Sequence, residues 1–352
     1  MNSRALRIAG NFVAAMLMAL SVVGSVPGQT TTTKSVPAPG DSLRSIRQDI
    51  NNGHVDQALQ QIAQLRSAGQ TTTGLYRMEG LALYAKGELI PADKAFASAL
   101  VEDPADLEST QMRGLTLFRL GRPAEAIPLL KSSHGASPGK ADPNYVLALC
   151  YMDTRQYDEA RIALAAQYGF EPDSAPAYLV AARMLLRREY LPISQQFAEK
   201  ALALDPKLPL VHELLGEIAL AGNHIETAIA ELENERSHNP LEGLVYERLG
   251  DAYVRAARYD DAQRILQQAI LLEPNTTGPY ILLGKALLKK SDSLGAATYL
   301  ERAEQLDPAN YMTHSLLSQA YRSMGRQEDA AREIETAQKL QATNEPKLQN
   351  VH

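Results

Sequence analysis

The feature that most constrains this chain is a set of prolines. Pro104, Pro138, Pro172, Pro206, Pro240, Pro274 and Pro308 each follow the one before by 34 residues, with no insertion or deletion. A register this strict means a stacked repeat, in which each unit is one supersecondary element that buries its apolar face only against its neighbours. Several of these prolines close a recurring phrase: ALVEDPADL (Ala99 to Leu107), ALALDPKLP (Ala201 to Pro209), AILLEPNTT (Ala269 to Thr277) and AEQLDPANY (Ala303 to Tyr311). Proline lacks an N–H and pushes its predecessor out of the helical region, so the phrase marks where a helix stops.

Within one period, GLVYERLGDAYVRAARYDDAQRILQQAILLEP (Gly243 to Pro274), two helical patterns are separated by a short polar break, ARYD. Tyr246, Leu249, Gly250 and Tyr253 lie at helical spacing in the first; Ala262, Ile265, Leu266, Ala269 and Ile270 do so in the second. Two short amphipathic helices joined by a tight turn make a helical hairpin. The absence of Trp, the presence of only five Phe and the lack of an alternating β-branched run agree with an all-α chain. Gly80, Gly114, Gly216, Gly250 and Gly284 share one slot, where close helix packing leaves no room for a side chain; Ala148 and Ala182 fit there, and Ser318 fits less well. The matching small residues of the second helix are Ala92, Ala126, Ala160, Ala228, Ala262, Ala296 and Ala330.

The pattern resembles the tetratricopeptide repeat. YERLGDAY is followed in phase by Ala262, Leu266 and Pro274; YILLGKAL by Ala296, Leu300 and Pro308; HELLGEIA by Ala228, Leu232 and Pro240. The earliest strong unit carries Tyr76, Gly80, Ala92, Phe96 and Pro104. The resemblance implies an α-solenoid of stacked helical hairpins wound into a right-handed superhelix. Eight units fit, at residues 73–106, 107–140, 141–174, 175–208, 209–242, 243–276, 277–310 and 311–344, with a tail at 345–352. A degenerate capping unit is expected over 40–72, with Gly53 at its turn and Ala58 in the small slot.

Ahead of the repeats, residues 1–28 have the layout of a secretory signal. Arg4 and Arg7 precede an uncharged apolar run from Ile8 to Val23, then small residues at Gly24, Ser25 and Gly28. Cleavage is expected near Ser25 or Gly28; an uncleaved anchor that tethers the protein to a membrane is the alternative. Residues 29–39 read as a flexible Thr- and Pro-rich linker. The expectation is an exported protein, periplasmic or secreted, with no membrane insertion once the signal is removed. A net charge of −6 with only short basic clusters gives no footprint for nucleic acid.

No catalytic, cofactor-binding or metal-binding residues can be picked out. The seven histidines show no ligand spacing, and His212 and His314 fall where other units place Tyr. The single Cys150 lies on an apolar helical pattern and reads as a small buried hydrophobe. Neither a phosphate-binding glycine loop nor a nucleophile-elbow motif is present. The chain is therefore expected to be non-enzymatic and to need no cofactor.

By resemblance, first helices line a concave groove that holds peptide segments or helices of other proteins. The candidate groove residues are Arg77, Leu81, Tyr84, Leu115, Phe118, Arg119, Tyr145, Leu149, Met152, Leu179, Arg183 and Leu186, an apolar set with several arginines. The later units offer a more charged set: Glu213, Glu217, Glu247, Asp251, Lys285, Lys289 and Arg322. Leu81, Leu115 and Leu149 either line a groove or merely pack between adjacent first helices. One family variant holds chaperone tails with Lys and Asn; Leu81 and Leu115 occupy the Asn slots here, which argues against that use. The alternative role is a structural part of a cell-envelope assembly that associates through convex faces or ends. Sequence alone fixes no oligomeric state.

Overall fold

The computed structural model describes residues 39–70, 72–133 and 143–344. The signal, nearly all of the linker and the tail expected from the sequence lie outside these residues. The chain divides into two units, Met1–Ser45 and Ile46–His352. A helix α1 (Pro39–Asn51) runs from the first into the second and is followed by α2 (Val55–Ser67).

Eight hairpins follow. They are α3 (Leu75–Lys86) with α4 (Leu89–Glu102), α5 (Leu107–Arg119) with α6 (Pro123–Ser132), α7 (Asn144–Asp153) with α8 (Tyr157–Tyr168), and α9 (Ala175–Arg187) with α10 (Leu191–Leu204). Then come α11 (Val211–Ala221) with α12 (Ile225–His238), α13 (Gly243–Arg255) with α14 (Tyr259–Leu272), α15 (Thr277–Lys289) with α16 (Ser293–Leu306), and α17 (Tyr311–Ser323) with α18 (Gln327–Asn344). There is no strand among the described residues. The chain is an all-α solenoid of stacked hairpins, as the period predicts.

Each second helix packs on its own first helix and on the first helix of the next hairpin. First helices of most neighbouring hairpins also touch one another, while consecutive second helices make no comparable contact among the described residues. First helices therefore line the inner side of the stack. The small slots explain the tight hairpins. A Cβ on Gly250 would sit 2.3 Å from Leu266 Cδ2, and one on Gly80 2.6 Å from the Phe96 ring. Ala92, Ala126, Ala160, Ala228, Ala262 and Ala296 are all fully buried. Where the pattern changes, a hydroxyl is satisfied across the same hairpin: Ser194 Oγ donates to the Ala182 carbonyl at 2.8 Å, and Ser318 Oγ to that of Ala330 at 2.8 Å.

The recurring acid–proline phrase has a second meaning beyond stopping a helix. The side chains of Asp103, Asp205 and Asp307 each accept a hydrogen bond from the N–H two residues on, at 3.0–3.2 Å. The acid thus pins the loop that carries the chain to the next hairpin. The turn inside each hairpin has its own rule. Gly87, Gly121, Arg155, Glu189, Asn223, Ala257, Ser291 and Gly325, one residue per unit, all have positive φ. Only three are glycines, so the stack imposes this left-handed residue even where a side chain resists it.

From Leu117 onward the core includes two apolar clusters among the described residues, one from Leu117 to Ile218 and one from Ala219 to Ala330, which give way to each other within α11. Cys150 is fully buried there, and burial pushes its thiol up to about 12, as befits an inert packing residue.

Candidate binding cleft on the inner helices

The twelve candidate residues separate into three groups. Met152 and Leu179 are core residues, 0% and 1% exposed, and do not face a groove. Leu115, Phe118, Tyr145 and Leu186 are half-buried and pack on the edge of the first core cluster; Leu81, Tyr84 and Leu149 are also half-buried. The three arginines are engaged within the chain. Arg77 lies 3.1 Å from Asp106 and 3.5 Å from Glu108, the Arg119 guanidinium stacks 4.7 Å from the Tyr84 ring centre, and Arg183 pairs with Glu213 at 2.6 Å. They tie neighbouring hairpins together.

The charged set of the later units is organised differently. Glu213, on α11, is 1% exposed. Its Oε2 accepts a 2.6 Å hydrogen bond from Nη2 of Arg183 on α9, and its Oε1 lies 2.6 Å from Nε of Arg248 on α13. Glu217, one turn on, lies 2.9 Å from Arg248 and 3.7 Å from Arg183. Two acids and two arginines thus form a ladder across three hairpins. A second buried acid, Glu235 on α12, holds the start of α11: its carboxylate accepts from the N–H of Leu210 at 2.8 Å and of Glu213 at 3.4 Å. A carboxylate suits this place because a helix N-terminus leaves N–H donors without partners.

Beside the ladder a cleft of about 520 Å³ opens between α11, α13 and α15. It is lined by Glu217, Leu220, Ala221, Leu244, Glu247, Arg248, Asp251, Arg255 and Leu282. All of these are first-helix residues, so the cleft lies on the inner side of the stack. None of the twelve candidates lines it; Glu217, Glu247 and Asp251 come from the charged set. Arg255 lies 2.9 Å from Asp251 and donates to the Leu220 carbonyl at 3.2 Å. Leu244 is 38% exposed.

His314 is 4% exposed and takes the slot that Tyr246 and Tyr280 occupy in the two preceding units. Those tyrosines donate to the carbonyls of Pro240 and Pro274 at 2.9 and 3.0 Å; His314 Nε2 makes the same bond to Pro308 at 2.9 Å. Its Nδ1 lies 2.7 Å from Glu333 and 3.9 Å from Glu304. The short contact is a hydrogen bond within the chain. Both ring nitrogens face acceptors, an arrangement that favours the doubly protonated ring. Burial pulls its pKa down, but the bonds to Glu333 and Pro308 outweigh this and hold it above the usual histidine value. A raised folded pKa gives stability that is complete below the unfolded value and lost as pH rises through the folded one. The expected result is that the melting temperature falls relative to that of His314→Tyr between mildly acidic and alkaline pH. The tyrosine keeps the bond to Pro308 and does not titrate there. Parallel pH profiles of the two proteins would contradict this reading.

The comparisons with known proteins agree with the fold. Residues 117–187 match one tetratricopeptide repeat profile, and residues 77–141, 247–310 and 281–345 match another, together more than half of the chain. The chain belongs to the tetratricopeptide repeat family. A curated relative, superkiller complex protein 3 of Mus musculus, is 25% identical over 238 residues, 65% of this chain and 15% of its own length. The corresponding human protein is 25% identical over 236 residues, covering 64% of this chain and again 15% of the relative. The chain therefore spans only a small part of these relatives. Among solved structures, MamA 41-end from Desulfovibrio magneticus RS-1 aligns over 49% of this chain and 98% of its own, at 17% identity and a TM-score of 0.46. YrrB, described as a tetratricopeptide repeat protein with an unusual peptide-binding site, aligns over 53% and 95%, at 20% identity and a TM-score of 0.44. Among the described residues no helix is long and apolar enough to cross a membrane.

Proposed function

We propose that this chain is an exported, non-catalytic scaffold that holds a segment of a partner protein against the inner side of its first helices. The single observation that carries the reading is the cleft between α11, α13 and α15, where Leu244 and Leu282 stand among charged side chains on an inner wall. Apolar contact supplies binding energy there and the surrounding charges supply orientation, a combination common to partner sites. Half-buried apolar side chains at Leu81, Tyr84, Leu115, Phe118, Tyr145, Leu149 and Leu186 continue the inner side toward the N-terminus. Export rests on the sequence of residues 1–28.

Photo-crosslinking in the native cell tests this. With the probe at Leu244, a discrete adduct is expected; with the probe at Gln267, exposed on the second helix α14, none is expected. The mass of the adduct also reports whether residues 1–28 have been removed. Adducts from Gln267 alone would move the partner to the outer side and favour the assembly role.

A further inference from the structure

The cleft lining carries three acids, Glu217, Glu247 and Asp251, against two arginines, Arg248 and Arg255, with Glu213 and Arg183 just beside it; Lys285 and Lys289 of α15 are exposed and do not line the cleft. Arg183 and Arg248 are taken up by Glu213 and Glu217. Arg255 is taken up by Asp251 and the Leu220 carbonyl. Glu247 is left over, with no ion pair of its own among the described residues. Gly278 makes the room for it: a Cβ there would lie 2.0 Å from Glu247 Oε1. The surroundings disfavour its charge. Burial raises the carboxyl above its usual range, Arg248 draws it back, and Glu273 and Asp251 push it up again. A half-buried carboxylate beside two other acids, with every nearby arginine already engaged, calls for a cation from outside. Leu244 and Leu282 stand on the same cleft wall.

We propose that Glu247 receives a lysine or arginine side chain of the partner segment, whose aliphatic stem lies along Leu244 and Leu282. The inference rests on the cleft being the partner site and adds the chemistry that it selects. A basic side chain fits both halves of the cleft, since its stem covers apolar surface while its head pairs with an acid. An acidic or purely apolar segment would leave the surplus negative charge in place and desolvate it further.

Random linear peptides displayed on phage and selected on the full chain supply the probe. Their affinities are then measured by fluorescence polarisation against the parent, Leu244→Arg, Glu247→Gln and, as an exposed control, Glu226→Gln. Circular dichroism melts confirm that each variant is folded. The expected outcome is a set of peptides that Leu244→Arg no longer binds and that share a Lys or Arg next to aliphatic residues. Their binding should weaken about tenfold on Glu247→Gln, and equally when that Lys is replaced by norleucine, with no change on Glu226→Gln. Peptides lost on Leu244→Arg but indifferent to Glu247→Gln would overturn the inference and leave the binding site standing. If no selected peptide is sensitive to Leu244→Arg, both the inference and the cleft as a partner site fail.

Discussion

Replacing Gly250 by alanine will destabilise the protein by about 1–3 kcal/mol, whereas the same exchange at Gly278 will change stability by less than about 0.5 kcal/mol. Helix propensity alone would predict the opposite sign at Gly250, since alanine is favoured over glycine by about 1 kcal/mol in a helix interior. The two sites differ in what the added methyl meets. At Gly250 it falls 2.3–2.5 Å from Cδ2 and Cγ of Leu266, a side chain held in the core. At Gly278 it meets the far end of the Glu247 side chain, which can swing away. Ala182 occupies the tight slot in its own unit, but there the residue in the Leu266 register is Ala198, so volume has been given back across the hairpin. Denaturant titration of both variants decides the matter. A Gly250→Ala variant as stable as its parent would show that the slot is not set by packing.

Removing the carboxylate of Glu213 by the change to alanine will cost about 3 kcal/mol, because it takes away the buried acid between two part-buried guanidinium groups and leaves them only Glu217, 2.9 Å from Arg248 and 3.7 Å from Arg183. The side chains of Arg183 and Arg248 are each 24% exposed, so water reaches them in part and the cost stays near the low end for a broken buried pair. The loss should depend little on salt, unlike that of exposed pairs such as Arg122 with Glu125. Changing Arg183 to alanine together with Glu213 should cost less than the two changes added, since each single change strands the partner of the other. Additive losses in that double-mutant cycle would mean that the ladder is not a coupled unit.

Much of this architecture is legible in the sequence because it depends on period. The hairpins and the Gly and Ala slots follow from residues that recur every 34 positions, while the inner position of the first helices is what the family resemblance implies. What the period hides is how one slot is used differently in successive units. Leu179 and Glu213 share a slot, yet Leu179 closes the core while Glu213 anchors an ion ladder, because the neighbouring hairpins offer apolar side chains to one and arginines to the other. Of the arginines in the candidate set, Arg77 and Arg183 pair with acids of adjacent hairpins and Arg119 stacks on Tyr84. A signal for this was present: Arg183 and Glu213 are 30 residues apart and Glu213 and Arg248 are 35 apart, each close to one period. Glu235 gave no such signal, since an acid near a helix end reads as solvated until the start of α11 is seen to lie against it.

The measurement that tests the central claim most directly is amide hydrogen exchange on the full chain, free and crosslinked through position 244 to its partner. Binding on the inner side predicts slowed exchange in Val211–Ala221, Gly243–Arg255 and Thr277–Lys289, with the outer helices of the same hairpins unchanged. Protection confined to Ile225–His238, Tyr259–Leu272 and Ser293–Leu306 would contradict the account and place the partner on the outer side.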